Sequence, residues 1–157
     1  MAINQNKKPL SASHPDIAKE WNYDKNHDVL VSEVTAGSDR RVWWIGKCLH
    51  EWESKISNRA NGSGCPFCSG KKVLKGFNDL PSKYPEISKE WNFTKNFPKK
   101  PQEYTFGSNK KVWWIDYLGH EWESPISNRT IHGTSCPFCK NSKVLKGFND
   151  LETKIPF

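Results

Sequence analysis

The feature that most constrains this chain is an internal repeat that ends, in each copy, in Cys-Pro-Phe-Cys. Residues 42–68 and 112–139 each contain a Trp-Trp segment, then a His-Glu-Trp-Glu segment, then the cysteine pair. Two cysteines separated by two residues offer two thiolates to one tetrahedral zinc ion, and proline favours the turn between them. The repeat therefore predicts two modules of one kind, each built around a metal ion.

The repeat extends well beyond the cysteines. Residues 85–92 match residues 15–22 at an offset of 70, and His120 matches His50 at the same offset. The second cysteine pair lies at an offset of 71, so one residue is inserted between positions 130 and 135. Repetition at this period is typical of tandem arrays of small units.

The repeat also predicts the domain boundaries. The segment KVLKGFNDL joins the two modules and recurs after the second one, and Pro156 then falls where Pro85 would be expected in a further copy. We predict a first module at residues 1–71, a linker and second module at 72–142, and a repeated linker that starts an incomplete third module at 143–157.

Composition favours metal-stabilised modules. Only 35% of the 157 residues are hydrophobic, and modules this small with so little aliphatic material have thin cores that need a metal or disulfides. The five cysteines are odd in number and no signal peptide opens the chain, which favours reduced thiolates in a cytosol over disulfides. No apolar run is long enough to span a membrane.

Local patterns predict the elements of each module. Residues 13–22 predict a short helix, with Ile17 and Trp21 one turn apart and packed on a sheet. Residues 42–45 and the alternating residues 51–56 predict a β-hairpin whose tip runs from residue 46 to residue 50. The predicted fold class is a small metal-stabilised α+β protein with two tandem modules, each a β-hairpin sheet plus one short helix.

The adjacent tryptophans of each first strand point to opposite faces. We expect one ring of the pair Trp43 and Trp44, and one of Trp113 and Trp114, to lie in the core. The other ring either covers the short helix or is exposed, where it can stack on an unpaired base.

Several motifs together resemble a known family. The segments PDIAKEWN, VWWI, HEWES, SNR, CPFC and GFNDL resemble the zinc-ribbon, treble-clef zinc finger domain family over nearly the whole chain. That family forms tandem arrays in bacterial, phage and some eukaryotic proteins, often beside a nuclease domain of the very-short-patch-repair type. The resemblance implies that the two modules are tandem zinc-ribbon, treble-clef-like modules, with two Zn²⁺ sites and nucleic-acid binding. Together with the reduced cysteines, it leads us to expect the protein in the cytoplasm of a bacterial or phage-infected cell.

The chain departs from the family pattern at one ligand. The family usually has a cysteine after Trp-Trp-x, where this chain has Gly46 and Asp116. Cys48 is the candidate for the missing ligand in the first module, with a free thiol as the alternative. In the second module Asp116 is the candidate, with His132, water or loss of zinc as alternatives. The predicted metal ligands are Cys48, His50, Cys65 and Cys68 in one site and Asp116, His120, Cys136 and Cys139 in the other.

The net charge of +7 and pI near 9.2 predict a polyanionic partner, and nucleic acid is the polyanion that we expect. Two of the candidate contacts, Arg59 and Arg129, can equally hold their own modules together through Glu51 or Glu53, or Glu121 or Glu123. The predicted nucleic-acid contacts are Arg40, Arg41, Arg59, Lys71, Lys72, Lys110, Lys111 and Arg129.

Three functions follow from these patterns. The first is a non-enzymatic zinc protein that binds nucleic acid, DNA more than RNA, as the targeting part of a nuclease or of a defence or phage system. The second is a protein-interaction module that blocks or recruits a partner. The third is a nuclease using His120, Asn128 and His132, but their spacing is too short and the first module has Gly62 in place of the last histidine.

Overall fold

The structure, a computed structural model, describes residues 7–151 of the chain. The chain divides into two compact units, Met1–Lys71 and Lys72–Phe157. Each unit contains a two-stranded antiparallel sheet and several short helices, which confirms the predicted α+β class with two repeated modules. The helices within residues 7–151 are too short or too polar to traverse a lipid bilayer.

The β-hairpins form as the alternating pattern predicts. In the first unit Trp44 lies opposite Trp52, and Val42 and Trp44 are buried while Trp43 is half-buried beneath the ammonium group of Lys25. The same register recurs in the second unit, where Trp114 lies opposite Trp122. The strands are β1 (Arg41–Ile45), β2 (Glu51–Lys55), β3 (Lys111–Ile115) and β4 (Glu121–Pro125).

Within residues 7–151 each unit has three helices of four or five residues, where the sequence predicted one. The predicted helix begins at Pro15 and ends at Ala18, before Asn22, because Trp21 leaves it to form a β-bridge with Trp44. The helices are α1 (Leu10–Ser13), α2 (Pro15–Ala18), α3 (Ile56–Ala60), α4 (Leu80–Lys83), α5 (Pro85–Ser88) and α6 (Ile126–Thr130), with 3₁₀ turns at Val31–Glu33 and Pro101–Glu103.

Ile56 was predicted to end the second strand but begins α3 instead. Its backbone N–H donates to the carbonyl oxygen of Arg40 (3.1 Å), and its side chain is fully buried. A buried residue at the end of an alternating run fits both a strand and the first turn of a helix, so the pattern alone could not separate them.

Three tryptophans form the centre of each core. Trp21 meets Trp44 edge-on with ring centroids 5.5 Å apart, and Trp91 meets Trp114 in the same way at 5.9 Å. Edge-to-face pairs of this kind add roughly 0.5–1.5 kcal/mol to the effect of burial. Trp52 in the first unit and Trp122 in the second complete the clusters, together with Leu10 and Ile56, or Leu80 and Ile126. The predicted packing of the helix on the sheet is therefore confirmed.

The repeated linker packs on the second unit. The ring of Phe148 lies 4.2 Å from the imidazole of His120, and Asn149 Nδ2 donates to the carbonyl oxygens of Phe138 (3.0 Å) and Lys143 (2.7 Å). Residues 152–157, including Pro156, lie outside the described part of the chain, so the start of a third module stays a prediction.

Candidate metal centres and basic surface

A tight turn at the tip of each hairpin orients the candidate histidine. In the first module the N–H of Gly46 donates to the oxygen of His50 (3.1 Å), and the N–H of Leu49 donates to the oxygen of Gly46 (2.9 Å). In the second module Asp116 and His120 make the corresponding bond at 3.1 Å. The turn therefore holds the imidazole in the same position in both modules.

A second turn brings the cysteine pair to that imidazole. After α3 the chain reverses at Gly62, which has a φ of +100° that side chains other than glycine rarely adopt. The N–H of Cys68 then donates to the sulfur of Cys65 (3.5 Å), so both sulfurs face the same side. This arrangement is the one the Cys-Pro-Phe-Cys motif predicts.

The first cluster has the dimensions of a zinc site. The Sγ atoms of Cys65 and Cys68 lie 3.5 and 3.4 Å from Nδ1 of His50. Bond lengths of about 2.3 Å for Zn–S and 2.0–2.1 Å for Zn–N give sulfur–nitrogen edges of roughly 3.5–3.6 Å in a tetrahedron. The ligand atoms of Cys48, His50, Cys65 and Cys68 all lie within 4.8 Å of one another.

The second cluster fits the same tetrahedron. Nδ1 of His120 lies 3.5 Å from the sulfur of Cys136 and 3.4 Å from that of Cys139, and 3.0 Å from Oδ2 of Asp116. Asp116, His120, Cys136 and Cys139 again lie within 4.8 Å of one another. The first cluster offers one imidazole and three thiols, and the second one imidazole, two thiols and a carboxylate, sets of ligands that suit Zn²⁺. Each module can therefore hold one zinc ion.

The fourth position is filled differently in the two modules. Cys48 supplies a sulfur in the first, at a position occupied by Leu118 in the second. Oδ1 of Asp116 accepts the N–H groups of Leu118 (3.0 Å) and His120 (2.9 Å), which leaves Oδ2 facing the cysteines. His132, the alternative candidate, is exposed and lies outside the cluster. The structure thus favours Asp116 over His132.

In both clusters the fourth candidate ligand has a lowered pKa and the last cysteine has a raised pKa. Desolvation opposes ionisation of Cys48 and of Asp116, but hydrogen bonds outweigh it, so the pKa of each group lies below its usual value. The backbone of His50 bonds Cys48, and the backbone of His120 bonds Asp116. Neighbouring thiols bond both groups. Hydrogen bonding with Cys48, then desolvation, raises the pKa of Cys68 to about 11. Desolvation, then hydrogen bonding with Cys136 and Asp116, raises the pKa of Cys139 to about 12. Cys68 and Cys139 therefore keep their protons without a metal, and a divalent cation would displace these protons as it binds.

Arg59 and Arg129 are core residues. Each was predicted either to contact nucleic acid or to form an ion pair within its own module. Arg59 is 7% exposed, pairs with Glu20, and stacks over the rings of Trp44 and Trp52, each 5.3 Å away. Arg129 is 5% exposed and pairs in the same way with Glu90. The structure therefore favours an ion pair within each module. The partner is the glutamate that follows α2 or α5, and not a glutamate on β2 or β4.

The remaining predicted basic contacts are exposed, but they differ between modules. Arg40 pairs with Asp28 (3.4 Å) and Arg41 with Glu53 (3.7 Å). Lys110 and Lys111 occupy the same two positions in the second module, and neither is in an ion pair within residues 7–151. Lys71 and Lys72 are also exposed, on either side of the boundary between the units.

Lys99 and Lys100 were not among the predicted contacts. Both are exposed and outside any ion pair in the described part of the chain. Their loop is fastened to β3, because the side chain of Asn96 bonds both the N–H and the carbonyl oxygen of Trp113, each at 2.8 Å. Comparing the two repeats position by position would have revealed them, since Val29 and Leu30 occupy the same places in the first module.

Comparison with protein families agrees with the geometry. A family described as the probable treble clef zinc finger domain matches the chain twice, at residues 17–71 and 87–142. Both matches include all four candidate ligands of their module. The comparison with curated proteins gives no match. On the two family matches, which cover more than half of its length, the chain belongs to the treble clef zinc finger domain family.

Proposed function

We propose that this protein binds nucleic acid, preferentially DNA, through the second module. The observation that carries the proposal is a group of four exposed lysines without ion pairs among the described residues, which we call the lysine surface: Lys99, Lys100, Lys110 and Lys111. Lysines that are not neutralised by a neighbouring carboxylate can displace counterions from phosphates, which supplies most of the free energy of non-specific binding.

The first module supports a close approach of the two parts of this surface. There, the equivalent loop and strand approach closely enough for Arg40 to pair with Asp28. In the second module Pro98 replaces that aspartate, and lysines follow it. The second unit as a whole has 14 Lys and Arg against 9 Asp and Glu, whereas the first has 10 against 8. The excess positive charge is therefore concentrated in the second unit.

We further propose that the protein acts by binding and not by catalysis. A catalytic zinc site keeps one position open for water or substrate, whereas a structural site is closed by four protein ligands. Both clusters have four candidate ligands, Cys48 and Asp116 being the fourth. A closed site supports a role for the metal in stabilising the module that presents the lysine surface.

The test is the affinity for a DNA oligonucleotide as a function of salt, measured by fluorescence anisotropy. We expect K110E/K111E to weaken binding by tenfold or more and to lower the log–log salt slope by about 0.9 for each phosphate that the variant no longer neutralises. The matched control is R40E/R41E, because those two arginines already pair with carboxylates and their reversal should have a smaller effect.

Two results would contradict the proposal. Absence of DNA binding at low salt would exclude it and would favour the protein-interaction function. Metal-dependent cleavage of the oligonucleotide by the wild type and by K110E/K111E, but not by His120→Ala, would show an enzyme.

A further inference from the structure

One loop of the second module combines exposed aromatic rings with lysines. We call residues 93–100, which read FTKNFPKK, the aromatic–basic loop. Every residue in it is exposed except Asn96. Phe93 is 61% exposed and Phe97 82%, and neither belongs to the core cluster of its module. The module thus gains no core packing from these two rings.

The loop is held rigidly in spite of its exposure. Asn96 is buried and bonds both backbone groups of Trp113, and the N–H of Lys95 donates to Oδ1 of Asn92 (3.0 Å). Lys95 itself pairs with Glu121 and lies over the ring of Trp113, so its charge is already compensated. A loop fixed in this way presents Phe93, Phe97 and the following lysines at little cost in conformational entropy.

The first module has the same scaffold with different chemistry. Asn26 bonds the backbone of Trp43 at 2.7 and 2.9 Å, as Asn96 bonds that of Trp113. Its loop, residues 23–30, reads YDKNHDVL. It has two aspartates, one of which pairs with Arg40, and Val29 is buried. His27, Val29 and Leu30 occupy the places of Phe97, Lys99 and Lys100, so the fold does not require these three residues, whereas Phe93 has an aromatic equivalent in Tyr23.

We propose that the aromatic–basic loop binds single-stranded DNA, with Phe93 and Phe97 stacking on unpaired bases and the lysine surface contacting the phosphates. This inference rests on the proposed function and specifies its substrate. The faces of bases are available to side chains only where the strand is unpaired, because a duplex stacks its bases on one another. A phenylalanine ring can stack on any base, so we expect weak sequence preference.

The test compares a 20-nucleotide oligo-dT strand with a 20-base-pair duplex by anisotropy. We expect the wild type to bind the single strand at least tenfold more tightly than the duplex. F93A/F97A should lose about tenfold or more in affinity for the single strand, since stacking contributes about 1–3 kcal/mol per base, and little for the duplex. The matched control is Tyr23→Ala, an exposed ring at the position equivalent to Phe93, which should change neither affinity.

A loop exchange provides the second variant. Residues 93–100 are replaced by the residues at 23–30, which keeps the anchoring asparagine. Zinc content and melting temperature report whether the exchanged protein is folded, and its preference for the single strand should disappear. Equal affinity of wild type and F93A/F97A for oligo-dT would overturn this inference and leave the proposed function standing. Failure to bind either DNA at low salt would overturn both.

Discussion

The sulfur of Cys48 fills the space that a side chain on Gly46 would need. A Cβ atom at residue 46 would lie 3.1 Å from that sulfur and 3.1 Å from two carbons of the Trp52 ring. In the second module residue 116 is an aspartate and residue 118 a leucine, and the carboxylate enters the metal cluster instead. The two modules thus offer a fourth candidate ligand from positions two residues apart, and glycine at position 46 makes room for the thiol at position 48.

This exchange can be tested by moving the ligand. Cys48→Ala should deprive the first module of its zinc, because three ligands remain and the thiolate with the lowered pKa is gone. G46C/C48A should restore zinc binding, since the sulfur of residue 48 is then gone and the Trp52 ring has to move by only a few tenths of an ångström to admit the new Cβ. Zinc per chain, measured on the native protein by mass spectrometry, reports both outcomes. Full zinc retention in Cys48→Ala would show that Cys48 is not a ligand.

Removal of the metal should unfold both modules. Their cores are small, and each metal cluster joins the hairpin tip to the segment after α3 or α6. For such sites the free energy of metal binding is a large part of the free energy of folding. We expect a strong chelator to abolish the cooperative thermal transition seen by tryptophan fluorescence, and added Zn²⁺ to restore it. Identical melting curves with and without the chelator would contradict this account.

The sequence predicts the parts of the fold that local patterns determine. The alternation around Trp44 and Trp52 indicated the hairpin, and the spacing of Cys65 and Cys68 indicated the metal cluster. The helix at Ile56–Ala60 has no such signal, because five residues are too few to show a helical period.

Contacts between distant residues could not be predicted. Arg59 reaches Glu20, 39 positions away, and no local pattern distinguishes that glutamate from the ones on β2. The packing of Phe148 against His120 also depends on the path of the chain after Cys139. These contacts determine which arginines are buried and which residues pack against the metal cluster. They can be identified only from the three-dimensional structure.

Arg59→Ala should destabilise the first module without acting on DNA directly. The change removes a buried charge that pairs with Glu20 and stacks on two tryptophans, and we expect a loss of about 2–4 kcal/mol in the free energy of unfolding. Urea unfolding followed by tryptophan fluorescence measures it. Arg59→Lys should recover little of the lost stability, since lysine lacks the planar guanidinium group with its several donors. Unchanged stability together with weaker DNA binding would assign Arg59 to phosphate contact instead.

The hairpin tips of the two modules carry different residues at one position of positive φ, and substitutions there should have different effects on stability. Leu49 has a φ of +65° and is 78% exposed, whereas the equivalent Gly119 has a φ of +83°. A side chain in this left-handed region costs roughly 1–2 kcal/mol. Gly119→Ala should therefore destabilise the second module by about 1 kcal/mol, while Leu49→Gly should cost nothing or stabilise the first. Thermal melting of the two variants at equal zinc loading distinguishes them; a clear loss in Leu49→Gly would mean that the leucine makes a stabilising contact.

Phe148 should strengthen zinc binding in the second module although it is not a ligand. Its ring lies edge-on to the imidazole of His120, and Asn149 ties this segment to the carbonyl oxygen of Phe138 between the two cysteines. Residues that orient a metal-bound histidine typically change metal affinity by 10- to 100-fold. Phe148→Ala should therefore lower the zinc affinity of the second module by about tenfold, measured by competition with a chromogenic chelator. Val144→Ala, in the same segment but 75% exposed, is the control and should leave the affinity unchanged. Equal affinities in the two variants would mean that the repeated linker lies against the metal cluster without supporting it.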